Sequence, residues 1–469
     1  MSGNLYWFRY VGGAAFSDNL SGITGRRGRM DDTTRMMRAQ GGRVIGDAGF
    51  ARCMQALGPW LPDGPDAVPV AIAVSGGADS LALALLTRRW RRAVVGLVVD
   101  HGLRAESADE AARTVRCLAE MDIPARLLRL RGLLRGPRMA ERARRLRYQA
   151  LCHACRELGC LDLLLGHHGD DQAETVMMRQ RASSGPDGLA AMAQAVAGTD
   201  VRFVRPLLGV CKADLYATLR HAGIDWVEDP SNTDLRTERA RARHALSTDA
   251  QLRRVCLQTA QQAGGRRMAR DAQDAQWLAA HARFDAGGWV GLPRMLPPER
   301  VLSALVRTVS GHEYPPSPGG VAALCAVPRA ATLGGACLLA HGGEWLLARE
   351  EAAMQGHVRA RAGICWDGRF VLHVDGVADG AVPALSDLYV GAAGAVATWW
   401  PRERGRPPFP ARVLRTLPAL HRGGRVVAVP HMGVFAPGME QGWRFAFAPP
   451  CPATMLARFT PSGQIHHPV

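Results

Sequence analysis

The sequence predicts an α/β protein built on a doubly wound parallel sheet, with a helical and then a mixed α+β part following it. Three observations carry that expectation. From residue 67 onward, apolar β-rich runs alternate with longer amphipathic stretches. The runs are almost wholly apolar, as strands covered on both faces must be. Polar clusters stand directly after three of them, where open α/β sheets bind ligands.

The strand runs are 70–74, 94–99, 125–130, 161–165 and 201–208, and helical periodicity is clearest over 107–121 and 138–157. Residues 1–45 carry Gly, Arg and polar side chains with no sustained period and read as a flexible extension or a start placed too early. The sheet domain is expected over 46–247. Past Asp229 an Arg-dense segment leads into helical sequence, so a boundary is placed near Thr248 and a helical domain over 248–330. Residues 331–469 mix short strand-like pieces, such as 345–347 and 426–429, with Gly- and Pro-rich loops.

Composition narrows the partners. The chain has 469 residues, 47% of them hydrophobic, enough for two or three cored domains, and a formal charge of +16 that attracts polyanions. Of its 58 basic side chains only Lys212 is lysine; the rest are arginine, whose planar fork pairs with phosphate and stacks on bases. Arginine-favouring codons account for that bias equally well. The 11 cysteines are scattered, which fits a reducing cytoplasm better than a disulfide framework. No stretch approaches the roughly 20 apolar residues a membrane helix needs, so a soluble protein without a membrane partner is expected.

Ser75-Gly76-Gly77-Ala78-Asp79-Ser80 follows the first strand and opens a helix, so its amides and hydroxyls meet the positive helix end that favours phosphate. It lacks the lysine of a Walker A loop, and Asp79 suits an Mg²⁺ contact. Asp100 and His101 follow the second strand. His167-His168-Gly169-Asp170-Asp171-Gln172-Ala173-Glu174-Thr175 follows the fourth and starts a helix that sets Asp171, Glu174, Thr175 and Met178 on one face. Two carboxylates there can hold a metal or receive an ammonium, and an imidazole can relay a proton or hydrogen-bond a base. Zinc is not expected, because no third and fourth ligand stand at usable spacing.

The SGGxDS segment resembles the pyrophosphate loop of the PP-loop ATP pyrophosphatases, whose fold is the Rossmann-like adenine nucleotide alpha hydrolase fold. Within that superfamily, HHxDDQAET is similar to the signature of the tRNA(Ile)-lysidine synthetases. So are Val99-Asp100-His101-Gly102-Leu103-Arg104, Ala143-Arg144-Arg145-Leu146-Arg147-Tyr148, and Asp229-Pro230-Ser231-Asn232 with Asp234. The resemblance is strong from 67 to 244. Two departures stand out: the family's Arg-Asn pair after the DPSN segment reads Arg239-Ala240-Arg241 here, and its Gly-Leu-Ala-Gly-Met reads Gly188-Leu189-Ala190-Ala191-Met192.

The resemblance implies an ATP-dependent carbon-nitrogen ligase of the cytoplasm, attaching free L-lysine to C2 of the wobble cytidine, C34, in tRNA(Ile) with a CAU anticodon. The intermediate would be an adenylated cytidine, formed with release of pyrophosphate. It implies that Ser75, Gly76, Gly77, Ala78, Asp79 and Ser80, with Asp100 and His101, hold ATP; that Asp79 and Asp171 position Mg²⁺; and that Glu174 orients lysine, with His167 among the catalytic groups. Arg144, Arg147, Arg239, Arg241 and Arg243 would contact the tRNA, and a homodimer is a further expectation. Two other readings stand beside it. One is a PP-loop tRNA thiolase of the 2-thiocytidine type, invited by Cys152-His153-Ala154-Cys155 although that pair follows Tyr148. The other is a non-catalytic RNA-binding protein.

Overall fold

The computed structural model describes residues 42–102, 107–130, 139–198, 201–227, 237–374, 387–395, 410–439, 442–454 and 457–459. Residues 1–41, Leu103 and Arg104 of the second motif, and the whole Asp229–Asp234 motif therefore lie outside the described residues.

The described chain starts by docking. Arg43 N–H donates to Asp214 Oδ1 (2.8 Å) and Ile45 N–H to Thr218 Oγ1 (3.0 Å), and Ile45 is buried. The elements that build the first layer follow in order: α1 (Asp47–Ala56), β1 (Val70–Val74), α2 (Ala78–Trp90), β2 (Val94–Asp100), α3 (Ser107–Glu120), β3 (Ala125–Arg129), α4 (Met139–Glu157), β4 (Asp162–Leu164), α5 (Gly169–Arg181), α6 (Pro186–Leu189), β5 (Ala195–Ala197), β6 (Arg202–Val204), α7 (Lys212–His221), α8 (Glu238–Thr248) and α9 (Ala250–His281).

The run expected over 201–208 is a strand only to Val204, because Pro206 cannot donate to a ladder and opens a 3-10 turn, Pro206–Gly209. The sheet order is β5-β6-β4-β1-β2-β3, with the far strand Ala457–Arg458 added antiparallel outside β5. The pairs β1–β2, β2–β3, β1–β4 and β4–β6 are parallel, and β5–β6 is antiparallel. The chain winds β1, β2, β3 one way and then returns to the other side of β1 with β4. That reversal opens a crevice beyond the carboxyl ends of β1 and β4.

The central strands are held by burial. Ala71, Leu97, Leu163 and Leu165 share one apolar core with Leu151, Ala154 and Cys155 of α4. Each fully buried leucine there contributes about 1.5–3 kcal/mol. On the other side of the crevice Ala173 and Val176 of α5 pack with Leu246 of α8 and Cys256 and Ala260 of α9, so the first layer and the long helix share a core.

Beyond α9 the fold is mixed rather than helical up to residue 330. A five-stranded sheet runs Arg283–Phe284, Val290–Leu292, Glu344–Arg349, Ala336–His341, Ala331–Leu333 in spatial order. Its core joins Val301, Leu302 and Leu305 of one helix and Val321 and Leu324 of another to Ala336, Leu338 and Leu347. A division between 330 and 331 would cut that core, which three-residue strands between loops are too short to announce. A five-stranded sheet and a three-stranded sheet follow, with a core around Trp366, Phe370, Leu388, Val390 and Trp443.

Candidate active site

Three strand ends and three helix starts meet at the crevice. A cavity of about 360 Å³ is lined by Ser75, Gly77, Asp79 and Ser80 from the β1–α2 turn, His101 after β2, Arg147 and Tyr148 of α4, Gly166, His167 and Asp171 around the start of α5, and Arg239 and Arg243 of α8.

The β1–α2 turn is tightly built. Ser80 Oγ donates to Gly77 O (2.9 Å), accepts from Ser75 N–H (3.1 Å) and lies 3.2 Å from Ser75 Oγ. Gly76 sits at φ +85°, and a Cβ there would fall 2.4 Å from Thr114 Oγ1, so glycine is required twice over. A Cβ on Gly166 would meet the Asp79–Ser80 backbone at 3.1 Å, which is how the end of β4 approaches the turn so closely. Ala78 is buried as the first helical residue. Asp100 shapes the next turn rather than facing the cavity, accepting from Gly102 N–H (2.9 Å) and Ser107 Oγ (2.8 Å).

His168 is the hub. Its Nδ1 accepts from Asp170 N–H (3.2 Å), while Asp171 Oδ2 accepts from His168 N–H (3.1 Å), a reciprocal cap on α5. Its Nε2 lies 3.5 Å from both Asp79 Oδ2 and Asp171 Oδ2. Burial opposes charge on this ring, but Asp79, Asp171 and Asp170 outweigh it and raise its pKa to about 9. In that charged state Nδ1 carries a proton and can no longer accept from Asp170 N–H, and the Asp170 carboxylate, 3.7 Å away, faces it instead. Burial likewise raises Asp79 and Asp171, yet the imidazolium, with Lys212 for Asp79 and Arg239 for Asp171, holds both below the usual carboxylate range.

His167 is the opposite case. Burial, then Arg205, pushes it down to about 4, so it is neutral at neutral pH, and its buried Nδ1 has no partner among the described residues. Of the two roles open to an imidazole here, hydrogen bonding to a ligand suits it better than taking a proton. His101 is lowered by burial and then by Arg147, and its Nδ1 is also unpartnered among the described residues.

The arginines divide. Arg239 Nη2 donates to Asp171 Oδ1 (2.6 Å) and its Nε to Glu174 Oε2 (2.7 Å); Arg243 Nε donates to Glu174 Oε1 (2.7 Å). Glu174 is only 2% exposed, whereas the Arg239 and Arg243 side chains are 45% and 29% exposed. Arg147 lines the cavity, and Arg144 and Arg147 flank the Tyr148 ring at 5.0 and 5.7 Å. Arg241 lies on α8 but is not among the cavity-lining residues. Two contributors escaped sequence reasoning: Arg253 of α9, bonded to Asp170 (2.9 Å), and Lys212, whose N–H donates to the same carboxylate (2.9 Å). Their separation of 83 and 42 residues from Asp170 left no local signal.

Cys152 and Cys155 lie within α4, and Cys155 is fully buried in the apolar core. Among the described residues no group of three or more His, Cys, Asp or Glu is arranged to hold a metal by itself, and no helix is long and apolar enough to cross a membrane. One oxygen, however, suits a cation. Among the described residues Asp79 Oδ1 is buried without a hydrogen-bond partner, while both oxygens of Asp171 are engaged. Magnesium takes one or two carboxylates and draws its other ligands from water and substrate phosphate, so this arrangement fits Mg²⁺.

A family profile described as a PP-loop domain matches residues 52–250. A curated tRNA(Ile)-lysidine synthase from Ruegeria pomeroyi is 39% identical over 389 residues, covering 79% of this chain and 89% of the relative. One of the same name from Hyphomonas neptunium is 40% identical, over 56% of this chain and 74% of the relative. A solved U34-tRNA thiolase from Methanococcus maripaludis, with its [4Fe-4S] cluster, overlaps 46% of this chain and 78% of its own at 18% identity and a TM-score of 0.37, too distant to bear on the argument. The PP-loop sheet, the site at its switch point and a relative matched along nearly its whole length together place this chain in the tRNA(Ile)-lysidine synthase family.

Proposed function

We propose that the protein ligates free L-lysine to C2 of the wobble cytidine of CAU-anticodon tRNA(Ile), consuming ATP through an adenylated cytidine. The supporting observation is the single cavity that gathers the Ser75–Ser80 turn, Asp171 at the start of α5 and the arginines of α4 and α8.

Cytidine O2 attacks the α-phosphate, the bond to pyrophosphate breaks, and the base becomes electrophilic at C2. The lysine ε-amine then forms the C2–N bond, the C2–O2 bond breaks, and AMP leaves with O2 while the amine gives up a proton. The amides of Gly76 and Gly77 and the hydroxyls of Ser75 and Ser80 cradle the phosphates. Mg²⁺, when bound, would rest on Asp79, with Asp171 as second carboxylate, and would neutralise phosphate charge. Asp171 faces the cavity, while Glu174 is buried behind Arg239 and Arg243 and would orient the lysine ammonium only as those arginines turn to phosphate or tRNA. Neutral His167 and His101 hydrogen-bond the splayed base or the nucleotide. Arg144, Arg147 and Arg241 continue the basic surface along the anticodon arm, and α9 with the helices after it extends that contact. The reading places the protein in the cytoplasm.

The test incubates the protein with ATP, Mg²⁺, radiolabelled lysine and tRNA(Ile) bearing CAU. Label retained on the tRNA, dependent on ATP and lost in Asp79→Ala, is the expected result. Bound tRNA without label would overturn the reading in favour of a non-catalytic binder.

A further inference from the structure

We propose that Gln172 is a positioning residue for the lysine-transfer step, clamping the start of α5 to the 187–194 segment so that Asp171 and Glu174 keep their aim when Arg239 and Arg243 leave them. The inference rests on the ligase reading above and gives that site a residue outside the cavity.

Gln172 stands inside the His167–Thr175 motif, next to Asp171, yet it takes no part in lining the crevice cavity. Its side chain is buried and turned to a distant stretch of backbone. Nε2 donates to Met192 O (2.8 Å) and Oε1 accepts from Met192 N–H (3.0 Å), across 20 residues of chain. Only a carboxamide offers a donor and an acceptor side by side on one neutral planar group, and Asn is one methylene shorter. The two bonds copy a rung of a β-ladder and fix both the distance and the rotation of α5 about its axis.

The gripped segment is itself anchored. Ala191, just before Met192, holds φ +52°, a left-handed conformation that a Cβ disfavours and that persists where its surroundings fix it. Upstream, the Asp187 carboxylate accepts from Arg270 of α9 and lies 3.4 Å from Arg300 Nε of the helix Glu299–Ser310. Downstream, Arg205 Nη1 donates to Ala193 O (3.0 Å), and Ala190 and Ala193 pack with Phe459. On the crevice side the restraints on α5 are of another kind. Asp171 and Glu174 are held by Arg239 and Arg243, part-exposed side chains that phosphate or tRNA can draw away. At 3.6 residues per turn Gln172 lies about 160° around the helix from Glu174, so its grip on backbone survives that exchange.

The test separates the two halves of the reaction. Gln172→Met keeps the side-chain volume and removes both bonds. With ATP, Mg²⁺ and CAU-anticodon tRNA(Ile), the variant should raise the lysine KM about tenfold and slow lysine transfer at saturation about tenfold, because a misplacement near 1 Å costs up to about 10²-fold. Pyrophosphate release without lysine should fall much less, since the Ser75–Ser80 turn does not ride on α5. Gln172→Glu gives a second reading: a protonated carboxyl donates to Met192 O and accepts from its N–H as the amide does, and an ionised one cannot donate. Burial raises the pKa of such a carboxyl, so the ratio of variant to wild-type lysine transfer should be near one at about pH 6 and fall as pH rises toward about 9. Unchanged lysine kinetics in Gln172→Met would overturn the inference, as would both half-reactions falling by one factor, the mark of lost folded protein. If Gln172→Met does not fold, the pH ratio of Gln172→Glu decides, and a flat ratio overturns the inference. Each of these leaves the ligase reading standing. Neither pyrophosphate release nor lysine transfer by the wild type would overturn both.

Discussion

Two buried charge clusters in this molecule use the same chemistry to different ends. In the crevice, Asp79, Asp171 and Glu174 face His168, Arg239 and Arg243, and the two arginines remain 45% and 29% exposed. In the C-terminal part, Asp367 receives Arg349 Nε and Nη2 (2.9 Å each) and Arg369 Nε (2.8 Å), with side-chain exposures of 2%, 3% and 0%. Arg349 and Arg369 bond onward to the backbone of Gly335 and Thr416, so the sealed cluster ties a strand of one sheet to the loop before another. The open cluster can trade its partners for phosphate and substrate. The sealed one can only hold position, and the exposure of the arginines, not of the carboxylates, is what separates the site from the joint.

The largest way to break that contrast is Asp367→Asn. Asn tolerates the φ of +54° there, so geometry survives while two buried guanidinium groups lose their counter-charge. Unfolding free energy from denaturant titration should fall by about 3–5 kcal/mol, because unpairing a sealed charge costs far more than the pair contributes. Asp79→Asn should do the reverse: pyrophosphate release drops about 10²–10³-fold, with little change in the denaturant midpoint.

Acid and alkali should separate the clusters as well. His168 has a folded pKa of about 9, above the unfolded value near 6.5, so its contribution is complete below about pH 6.5 and lost as pH rises toward 9. Asp367 is held low by its hydrogen bond from Arg349 and the charge of Arg369, against burial, so its contribution is present above about pH 4 and lost as pH falls through the depressed value. Between about pH 6.5 and 9, urea midpoints should therefore fall for the wild type and stay level for His168→Gln. Glu174→Gln should cost only about 1–2 kcal/mol of stability, since its arginines reach water. Smallest of all, the surface pair Arg283–Glu344 should contribute nothing measurable, and Arg283→Ala should melt with the wild type.

What could be read from sequence was whatever is contiguous. Ser75–Ser80 and His167–Thr175 announced themselves because strand, turn and helix start lie within one short window. The pairing of Glu174 with Arg239 and Arg243 spans 65 and 69 residues and follows from packing of α8 on α5, so nothing local encodes it. The two histidines looked equivalent in sequence. Only placement makes His168 a charged hub and His167 a neutral wall. The C-terminal sheets were least legible, because strands of two to six residues carry too few alternations to fix a period or a boundary.

The edge of the catalytic sheet carries a consequence for how the molecule is made. Ala457–Arg458 pairs with β5, Arg458 Nη1 donates to Ala56 O (2.8 Å), and Phe459 packs with Ala190 and Ala193. During synthesis, β5 leaves the ribosome about 260 residues before its outer neighbour exists. Until then the sheet offers an unpaired rim of amides and carbonyls to any passing strand. Chains released before Ala457 keep that rim open, which makes this late strand a closing stitch and exposes prematurely ended copies to aggregation or proteolysis.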